Sequence, residues 1–252
     1  MKAVILAAGY ATRLYPLTID KPKCLLKAGG RTILDVLCDK LEAVHDLEEL
    51  IVVTNAKFFG QLTEWGKNRM SRLPLRVLND HTISNETRLG AIGDLRFAIQ
   101  QSGAEADILM LASDNLFDAT LSDFVNFAQS KKDAVSVGLY DIKDPKLAAK
   151  KFGVLEIDKD SRIIGIEEKP EFPKSSFIGM GIYYFPKDSL TYIQAYLKDP
   201  NAQDAPGYYI RWLRERVTIF GFRFSGLWYD IGNLKALEDA NRDYKTRTNP
   251  SF

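Results

Sequence analysis

Residues 2–9 have the sequence KAVILAAG, a continuous apolar run that ends at a glycine. Such a run is typical of a central parallel strand that is covered on both faces. Its apolar part is too short for the hydrophobic region of a signal peptide or for a membrane span. The N-terminus therefore predicts a buried strand that ends in a tight turn.

Beyond this strand, apolar segments alternate with segments of helical periodicity as far as about residue 145. The predicted strands cover residues 50–54, 74–78, 107–112 and 134–139, and the predicted helices cover residues 33–44, 58–70, 89–100 and 121–129. Strands separated by amphipathic helices indicate βαβ units with right-handed crossovers. We therefore predict an α/β fold with a doubly wound, mostly parallel sheet.

The pattern changes in the second half, where strands follow one another without intervening helices. Strands are predicted at residues 153–157, 163–167, 177–185, 217–222 and 227–230, and helices at residues 190–197, 207–215 and from about residue 233. Residues 158–161 suit the turn of a hairpin. Because no linker rich in Ser, Gly or Pro appears, we predict one domain over residues 1–252. In it a smaller antiparallel portion, residues 146–245, folds back onto residues 1–145.

Composition limits the classes of partner. The chain has 252 residues, of which 46% are hydrophobic and 27% are charged, and its net charge is +1. These values predict neither a nucleic-acid groove nor a membrane face, so any anion site must be local. The two cysteines, Cys24 and Cys38, lack a metal-ligand spacing and are expected to be reduced thiols. We therefore expect a cytoplasmic protein.

A turn at the carboxyl end of the first strand is where ligands bind in open α/β sheets. The backbone N–H groups of Ala8 and Gly9 could hold phosphate oxygens there, and Arg13 and Lys23 follow as cations. The stretch matches neither a P-loop nor a G-x-G-x-x-G cofactor turn. From these residues alone, an ordinary βα turn with surface Arg and Lys fits equally well.

Two aspartates are candidate metal ligands. Asp114 ends an apolar strand, and Asp230 lies in the stretch WYDIG, residues 228–232. Mg²⁺ usually takes one or two protein carboxylates, together with waters and substrate phosphates. The alternatives are an Asx turn at Asp114 and a helix cap at Asp230.

Several stretches taken together resemble the sugar-phosphate nucleotidylyltransferases, which include glucose-1-phosphate thymidylyltransferases and mannose-1-phosphate guanylyltransferases. Residues 6–23, LAAGYATRLYPLTIDKPK, are similar to the family's G-x-G-[ST]-R-L-x-P element and its following lysine, although Ala8 and Ala11 stand where glycines are commoner. The stretches SDN (113–115), EKP (168–170) and WYDIG resemble three further family elements. The resemblance runs in order from residue 1 to about 240.

This resemblance implies a Rossmann-like nucleotidyltransferase fold and a magnesium-dependent enzyme. Residues 1–145 would bind the nucleotide, and residues 146–245 would bind the sugar phosphate. The residues that the resemblance assigns are Arg13, Lys23 and Asp114 for catalysis; Ala8, Gly9, Asn85 and Gly90 for the nucleotide; Gly153, Glu168 and Lys169 for the sugar phosphate; and Asp114 and Asp230 for Mg²⁺.

The implied reaction joins a nucleoside triphosphate to a sugar 1-phosphate and releases pyrophosphate. Asn85 favours dTTP or UTP, because its amide can pair with the edge of a pyrimidine, while CTP and GTP stay open. Other interpretations are a cytidylyltransferase that acts on phosphocholine and a regulatory homologue without catalysis. A glycosyltransferase is disfavoured because residues 114–116 lack a D-x-D pattern. The chain could form a homo-oligomer.

Overall fold

The first strand lies in the middle of a large sheet in the computed structural model, which describes residues 1–103 and 105–248. The strands are β1 (Lys2–Leu6), β2 (Lys27–Ala28), β3 (Arg31–Thr32), β4 (Glu49–Thr54), β5 (Leu75–Asn79), β6 (Ile108–Ala112), β7 (Asn115–Phe117), β8 (Val135–Asp141), β9 (Gly153–Ile157), β10 (Ile163–Glu168), β11 (Phe177–Phe185), β12 (Ile219–Phe224) and β13 (Trp228–Asp230). The helices are α1 (Ile33–Glu42), α2 (Phe59–Asn68), α3 (Gly90–Ser102), α4 (Leu121–Ser130), α5 (Thr191–Leu197), α6 (Pro206–Arg214) and α7 (Leu234–Thr248).

The predicted α/β fold is confirmed. Within the described residues the main sheet has nine strands, and β10-β9-β11-β6-β1-β4-β5 follow one another in that order. Strands β6, β1, β4 and β5 are parallel, as is the pair β8 and β12. Strand β11 is antiparallel to β6, β8 and β9, so the antiparallel portion continues the same sheet.

The core lies on both faces of this sheet, as the apolar first strand requires. Ala3 and Ile5 of β1 pack into one cluster of buried side chains, while Val4 packs into the cluster on the other face. Side chains alternate across a strand, so a strand that is buried on both faces must be apolar at every position. Strand β1 therefore positions the turn that follows it at the centre of the sheet.

The sequence located most elements and missed three of the four shortest strands within the described residues. The predicted strand 217–222 begins two residues later than expected, and strands β2, β3 and β7 had no sequence signal. The predicted hairpin turn is present, because Oδ1 of Asp158 accepts hydrogen bonds from the backbone of Asp160 and Arg162 at 2.9 Å each. Residues 104 and 249–252 of the predicted single domain lie outside the described residues. No helix in the described part of the chain is long and apolar enough to cross a membrane.

Candidate active site

The turn after β1 is held by side chains from distant parts of the chain. The amide of Asn55, which is completely buried, donates to the carbonyl of Ala8 at 2.8 Å. The hydroxyl of Thr18 donates to the carbonyl of Ala11 at 2.8 Å. Ala11 has a φ of 49°, which is the left-handed region that favours glycine. The turn therefore holds Ala11 in a conformation that a glycine would adopt more easily.

The carboxyl ends of β1 and β6 open into a first cavity of about 410 Å³. It contains every residue that the sequence assigned to the nucleotide and to catalysis, namely Ala8, Gly9, Arg13, Lys23, Asn85, Gly90 and Asp114. Tyr10 and Asp94 also line this cavity. The fold therefore brings together residues that lie up to about 100 positions apart in the chain.

A second cavity of about 290 Å³ adjoins the first and shares Arg13 and Asp114 with it. The residues assigned to the sugar phosphate and to the metal line this second cavity: Gly153, Glu168, Lys169, Asp114 and Asp230. The structure thus places two adjoining spaces on either side of Arg13 and Asp114. Such an arrangement can hold two phosphorylated substrates next to each other.

Lys23 forms an ion pair with Asp114 at this junction. The distance between Nζ of Lys23 and Oδ2 of Asp114 is 2.7 Å, and both side chains are partly buried. Lys23 belongs to a single turn of 3₁₀ helix at residues 23–25, whereas Asp114 follows β6. The cation therefore already lies beside the carboxylate that the sequence assigned to the metal.

Asp230 reaches the same junction through the small sheet of β7 and β13. These strands pair antiparallel, with Asp230 opposite Asn115, and the backbone N–H of Ile231 donates to the carbonyl of Asp114 at 3.0 Å. Burial, and secondly the charge of Asp114, raise the pKa of Asp230 to about 6. Two carboxylates that repel each other in this way fit a divalent cation, which would relieve the repulsion.

The indole of Trp228 ties the two strands of the small sheet together. Its Nε1 donates to Oδ1 of Asn115 at 2.8 Å, and Asn115 is almost completely buried. The ring of Trp228 also packs edge-on against Phe152, beside the second cavity. Asn115 and Trp228 are members of the quoted stretches, but their hydrogen bond was not predicted.

Glu168 presents a largely buried carboxylate to the second cavity. Two glycines lie against the carboxylate of Glu168. A methyl group at Gly153 would lie 2.9 Å from its Oε2, and a methyl group at Gly207 would overlap the same atom. Burial raises the pKa of Glu168, and Nζ of Lys169 lies 3.7 Å away. A carboxylate with one distant cation has free capacity to accept hydrogen bonds from a substrate.

Sequence reasoning missed the contribution of residues 204–207, at the start of α6, to the two cavities. Asp204 lines the first cavity, and its Oδ2 accepts a hydrogen bond from Nε of Arg88 at 2.7 Å. Pro206 lines both cavities, and Gly207 lines the second. The only available signal was the Pro-Gly step at the start of a helix, which also occurs at helix N-termini without any ligand.

These features define an α/β protein with a cleft at the carboxyl ends of its central strands, which is lined by both cationic and carboxylate side chains. The sequence model of the nucleotidyl transferase family matches residues 2–247, and the chain belongs to this family.

Named relatives differ in the nucleotide that their names specify. The chain is 28% identical to glucose-1-phosphate adenylyltransferase of Fusobacterium nucleatum, over 98% of this chain and 67% of that protein. It is also 28% identical to a Sulfolobus acidocaldarius protein provisionally named mannose-1-phosphate guanyltransferase, over 92% of this chain and 60% of that protein. The chain thus spans 60 to 67% of the length of these two curated relatives.

Among solved structures, the chain is similar to a Bacillus anthracis protein provisionally named glucose-1-phosphate thymidylyltransferase. The TM-score is 0.81 at 26% sequence identity, and the match covers 97% of this chain and 95% of the other. The fold is therefore shared over almost the entire length of both proteins.

Proposed function

We propose that this protein transfers a nucleotidyl group from a nucleoside triphosphate to a sugar 1-phosphate and releases pyrophosphate. The observation that carries this proposal is the junction of the two cavities, where Arg13, Lys23, Asp114 and Asp230 come together. Each cavity has a size and a lining that suit one of the two substrates. Phosphoryl transfer depends mainly on positioning and charge neutralisation, which is what these residues can supply.

In the proposed reaction, an oxygen of the sugar phosphate attacks the α-phosphorus in line, and the bond to the pyrophosphate oxygen breaks. No general base is needed, because the attacking oxygen is already anionic at neutral pH. Arg13 and Lys23 would neutralise charge on the triphosphate and on the leaving pyrophosphate. Lys169 would hold the acceptor phosphate against the repulsion between the two substrates, and Glu168 would accept hydrogen bonds from sugar hydroxyls.

Asp114 and Asp230 would hold Mg²⁺, which when bound neutralises charge on the reacting phosphates. The raised pKa of Asp230 and the proximity of its carboxylate to Asp114 support this assignment. The donor set is the kind that Mg²⁺ prefers, since two carboxylates leave room for waters and phosphate oxygens.

We favour dTTP or UTP as the nucleotide. Asn85 lines the first cavity, near the N-terminus of α3, and its amide carries both a donor and an acceptor. This pairing matches the adjacent carbonyl and N–H groups of uracil and thymine. The nucleotides named for the relatives include adenine and guanine compounds, so the test includes all common bases.

A second candidate acceptor is phosphocholine, with CTP as the nucleotide. The second cavity is lined by the rings of Phe152 and Trp228 together with the carboxylate of Glu168. Aromatic faces beside a carboxylate suit a quaternary ammonium group.

Pyrophosphate release tests these proposals directly. The purified protein is incubated with Mg²⁺, each of ATP, CTP, GTP, UTP and dTTP, and a panel of sugar 1-phosphates plus phosphocholine. We expect release with dTTP or UTP and one sugar 1-phosphate, and loss of release in EDTA. We expect Asp114→Asn to lower the rate by about 100-fold or more, because it removes a preorganised charge at the reacting phosphates. Asp123→Asn, on the exposed side of α4, is the matched control.

Other outcomes identify the alternatives. Release with CTP and phosphocholine would support the second candidate instead. Binding of nucleotide without any release across the panel would overturn the proposed reaction and would indicate a regulatory homologue.

A further inference from the structure

A buried carboxyl group that the proposed reaction does not use lies in the wall of the first cavity. Asp94 is on α3, one helical turn after Gly90, and is only 6% exposed. Its Oδ1 is buried and has no hydrogen-bond donor among residues 1–103 and 105–248. A buried carboxylate without a partner is costly, so this group needs an explanation.

The explanation involves a second buried carboxyl group, that of Asp80. This residue follows β5, and it is likewise 6% exposed. Its Oδ1 accepts two hydrogen bonds from Thr82, at 2.7 Å from the backbone nitrogen and at 2.8 Å from the hydroxyl. Its Oδ2 is buried and has no donor in the part of the chain that the structure describes. Thr82 therefore fixes the orientation of Asp80 and leaves one oxygen for a different partner.

One proton shared between the two carboxyl groups satisfies both of the orphaned oxygens. Burial, followed by the charge of Asp80 and hydrogen bonding with it, raises the pKa of Asp94 to about 8. At neutral pH the hydroxyl of Asp94 can then donate to Asp80, whose Oδ1 already accepts the two hydrogen bonds from Thr82. The remaining oxygen of Asp94, a residue that lines the first cavity, would then be an uncharged acceptor.

The other titratable groups around Asp94 do not favour its ionised form. Asp204 at the cavity rim adds a negative charge that raises the pKa of Asp94 further, and its carboxylate is already paired with Arg88. Tyr10 of the glycine turn, and Tyr196 and Tyr209 from the helices packed against α3, have pKa values that burial raises. These phenols therefore stay neutral over the physiological range.

We propose that Asp94 determines nucleobase specificity by accepting a hydrogen bond from the ring N–H of uracil or thymine, and that Asp80 is the positioning residue that keeps this acceptor uncharged. The ring N–H of these bases lies between two carbonyl groups, which a neutral acceptor tolerates and a carboxylate repels. The amide of Asn85, which lines the same cavity, can donate to one of these carbonyls. A guanine edge, with two adjacent donors, would instead match an ionised carboxylate.

This inference rests on the proposed function only for the identity of the substrate, because base recognition is measurable as binding. Calorimetry with each of the five Mg²⁺–nucleoside triphosphates, without acceptor, gives affinities between pH 6 and pH 9.5. The same series in the pyrophosphate assay separates KM from kcat. For the wild-type protein we expect the affinity for dTTP and UTP to fall as the pH rises through about 8, because Asp94 loses its proton.

Three variants distinguish recognition from a structural role. Asp94→Asn mimics the protonated group, since its amide can donate to Asp80 while its carbonyl stays an uncharged acceptor. It should keep the preference for dTTP and UTP and lose the fall in affinity at high pH.

The second variant, Asp80→Asn, removes the negative charge that raises the pKa of Asp94. Its amide can accept from Thr82 and donate to Asp94, which leaves Asp94 ionised. It should bind dTTP at pH 7 as weakly as the wild-type protein does at pH 9.

The third variant, Asp94→Ala, should reduce the ratio of pyrimidine to purine affinity by about tenfold or more, as expected for one lost base contact.

Each result supports or overturns the inference. If Asp94→Ala folds, as judged by urea unfolding, and keeps the wild-type preference and pH profile, Asp94 does not contact the base. If Asp94→Asn loses the preference while remaining folded, the neutral-acceptor role is wrong. Selective binding that responds to these variants without any pyrophosphate release would retain the inference on Asp94 and overturn the proposed reaction.

Discussion

Lys23 is placed to act on two partners in turn. In the structure its ammonium group is 2.7 Å from a carboxylate oxygen of Asp114, at the junction of the two cavities. A lysine in this position neutralises the carboxylate when no phosphate is near, and it can turn to a phosphate group when one arrives. Its flexible four-carbon stem allows both contacts, which the planar fork of an arginine would not.

Replacing Lys23 by Ala should therefore lower kcat in the pyrophosphate assay. We expect a loss of about 100-fold or more, the size typical for removing one preorganised stabilising group from a transition state. The matched control is Lys21→Ala, because Lys21 is exposed and lies only two residues earlier. A Lys23→Ala variant that kept its rate within about threefold would show that this cation contributes only to the apo protein.

Gly207 is the second informative residue, because it lies in α6 and yet must stay small. In most helices alanine at such a position is stabilising, by about 1 kcal/mol relative to glycine. Here a methyl group would overlap Oε2 of Glu168, so that carboxylate must move.

We expect Gly207→Ala to raise the KM for the acceptor by roughly tenfold, because overpacking costs about 1–3 kcal/mol. Nucleotide affinity, measured by calorimetry, should change little. Gly60→Ala in α2 is the control, since a methyl group there meets no atom within 4 Å. An unchanged acceptor KM would mean that Glu168 does not contact the acceptor.

At the scale of elements, a side-chain cap fixes the residue at which helix α1 begins. Thr32 immediately precedes the helix, and its hydroxyl oxygen accepts a hydrogen bond from the backbone of Asp35 at 3.0 Å. Asp35 also accepts hydrogen bonds from Trp65 of α2 and from Arg69. The cap therefore orders both the start of α1 and its contact with the neighbouring helix.

Thr32→Ala should lower the free energy of unfolding by about 1 kcal/mol, the usual value of an N-cap. Urea unfolding followed by far-UV circular dichroism measures this change. Thr32→Ser keeps the capping oxygen and should stay near the wild-type value. Pyrophosphate release by both variants should equal that of the wild type, since Thr32 lines neither cavity. A Thr32→Ser variant as unstable as Thr32→Ala would assign the loss to the methyl group and not to the cap.

At the scale of the whole molecule, β11 joins the two parts of the chain. It pairs with β6 from the first part and with β9 from the second. Both main clusters of buried side chains also contain residues from before and after residue 146. The two parts therefore share both clusters, and the single domain that the sequence predicts requires them to unfold together.

We accordingly expect one cooperative unfolding transition. Tryptophan fluorescence can follow each part separately, because Trp65 belongs to the first part and Trp212 and Trp228 to the second. The variant Trp65→Phe and the double variant with Trp212 and Trp228 changed to Phe should each give a transition that coincides with the circular dichroism of the same variant. Two separate transitions would show that the parts unfold independently.

The sequence determined the order and type of the long elements. Apolar residues recur every 2 residues in a half-buried strand and about every 3.6 residues in an amphipathic helix, and this spacing is a local property of the chain. The stretches that resemble family elements also pointed to several charged residues of the cleft, but not to Asp94 or Asp204. Strands β2, β3 and β7, which have only two or three residues, were not predicted, because so few positions show no period.

The tertiary structure alone decided which distant groups meet. Asp80 and Asp94 meet because the end of β5 and helix α3 bury them together, and Asn55 supports the first turn because β4 lies beside β1. Gly207 meets Glu168 only because α6 packs against β10. The burial and the pairing of these side chains depend on distances through space. The order of strands in the sheet sets these distances, and no local sequence pattern encodes that order.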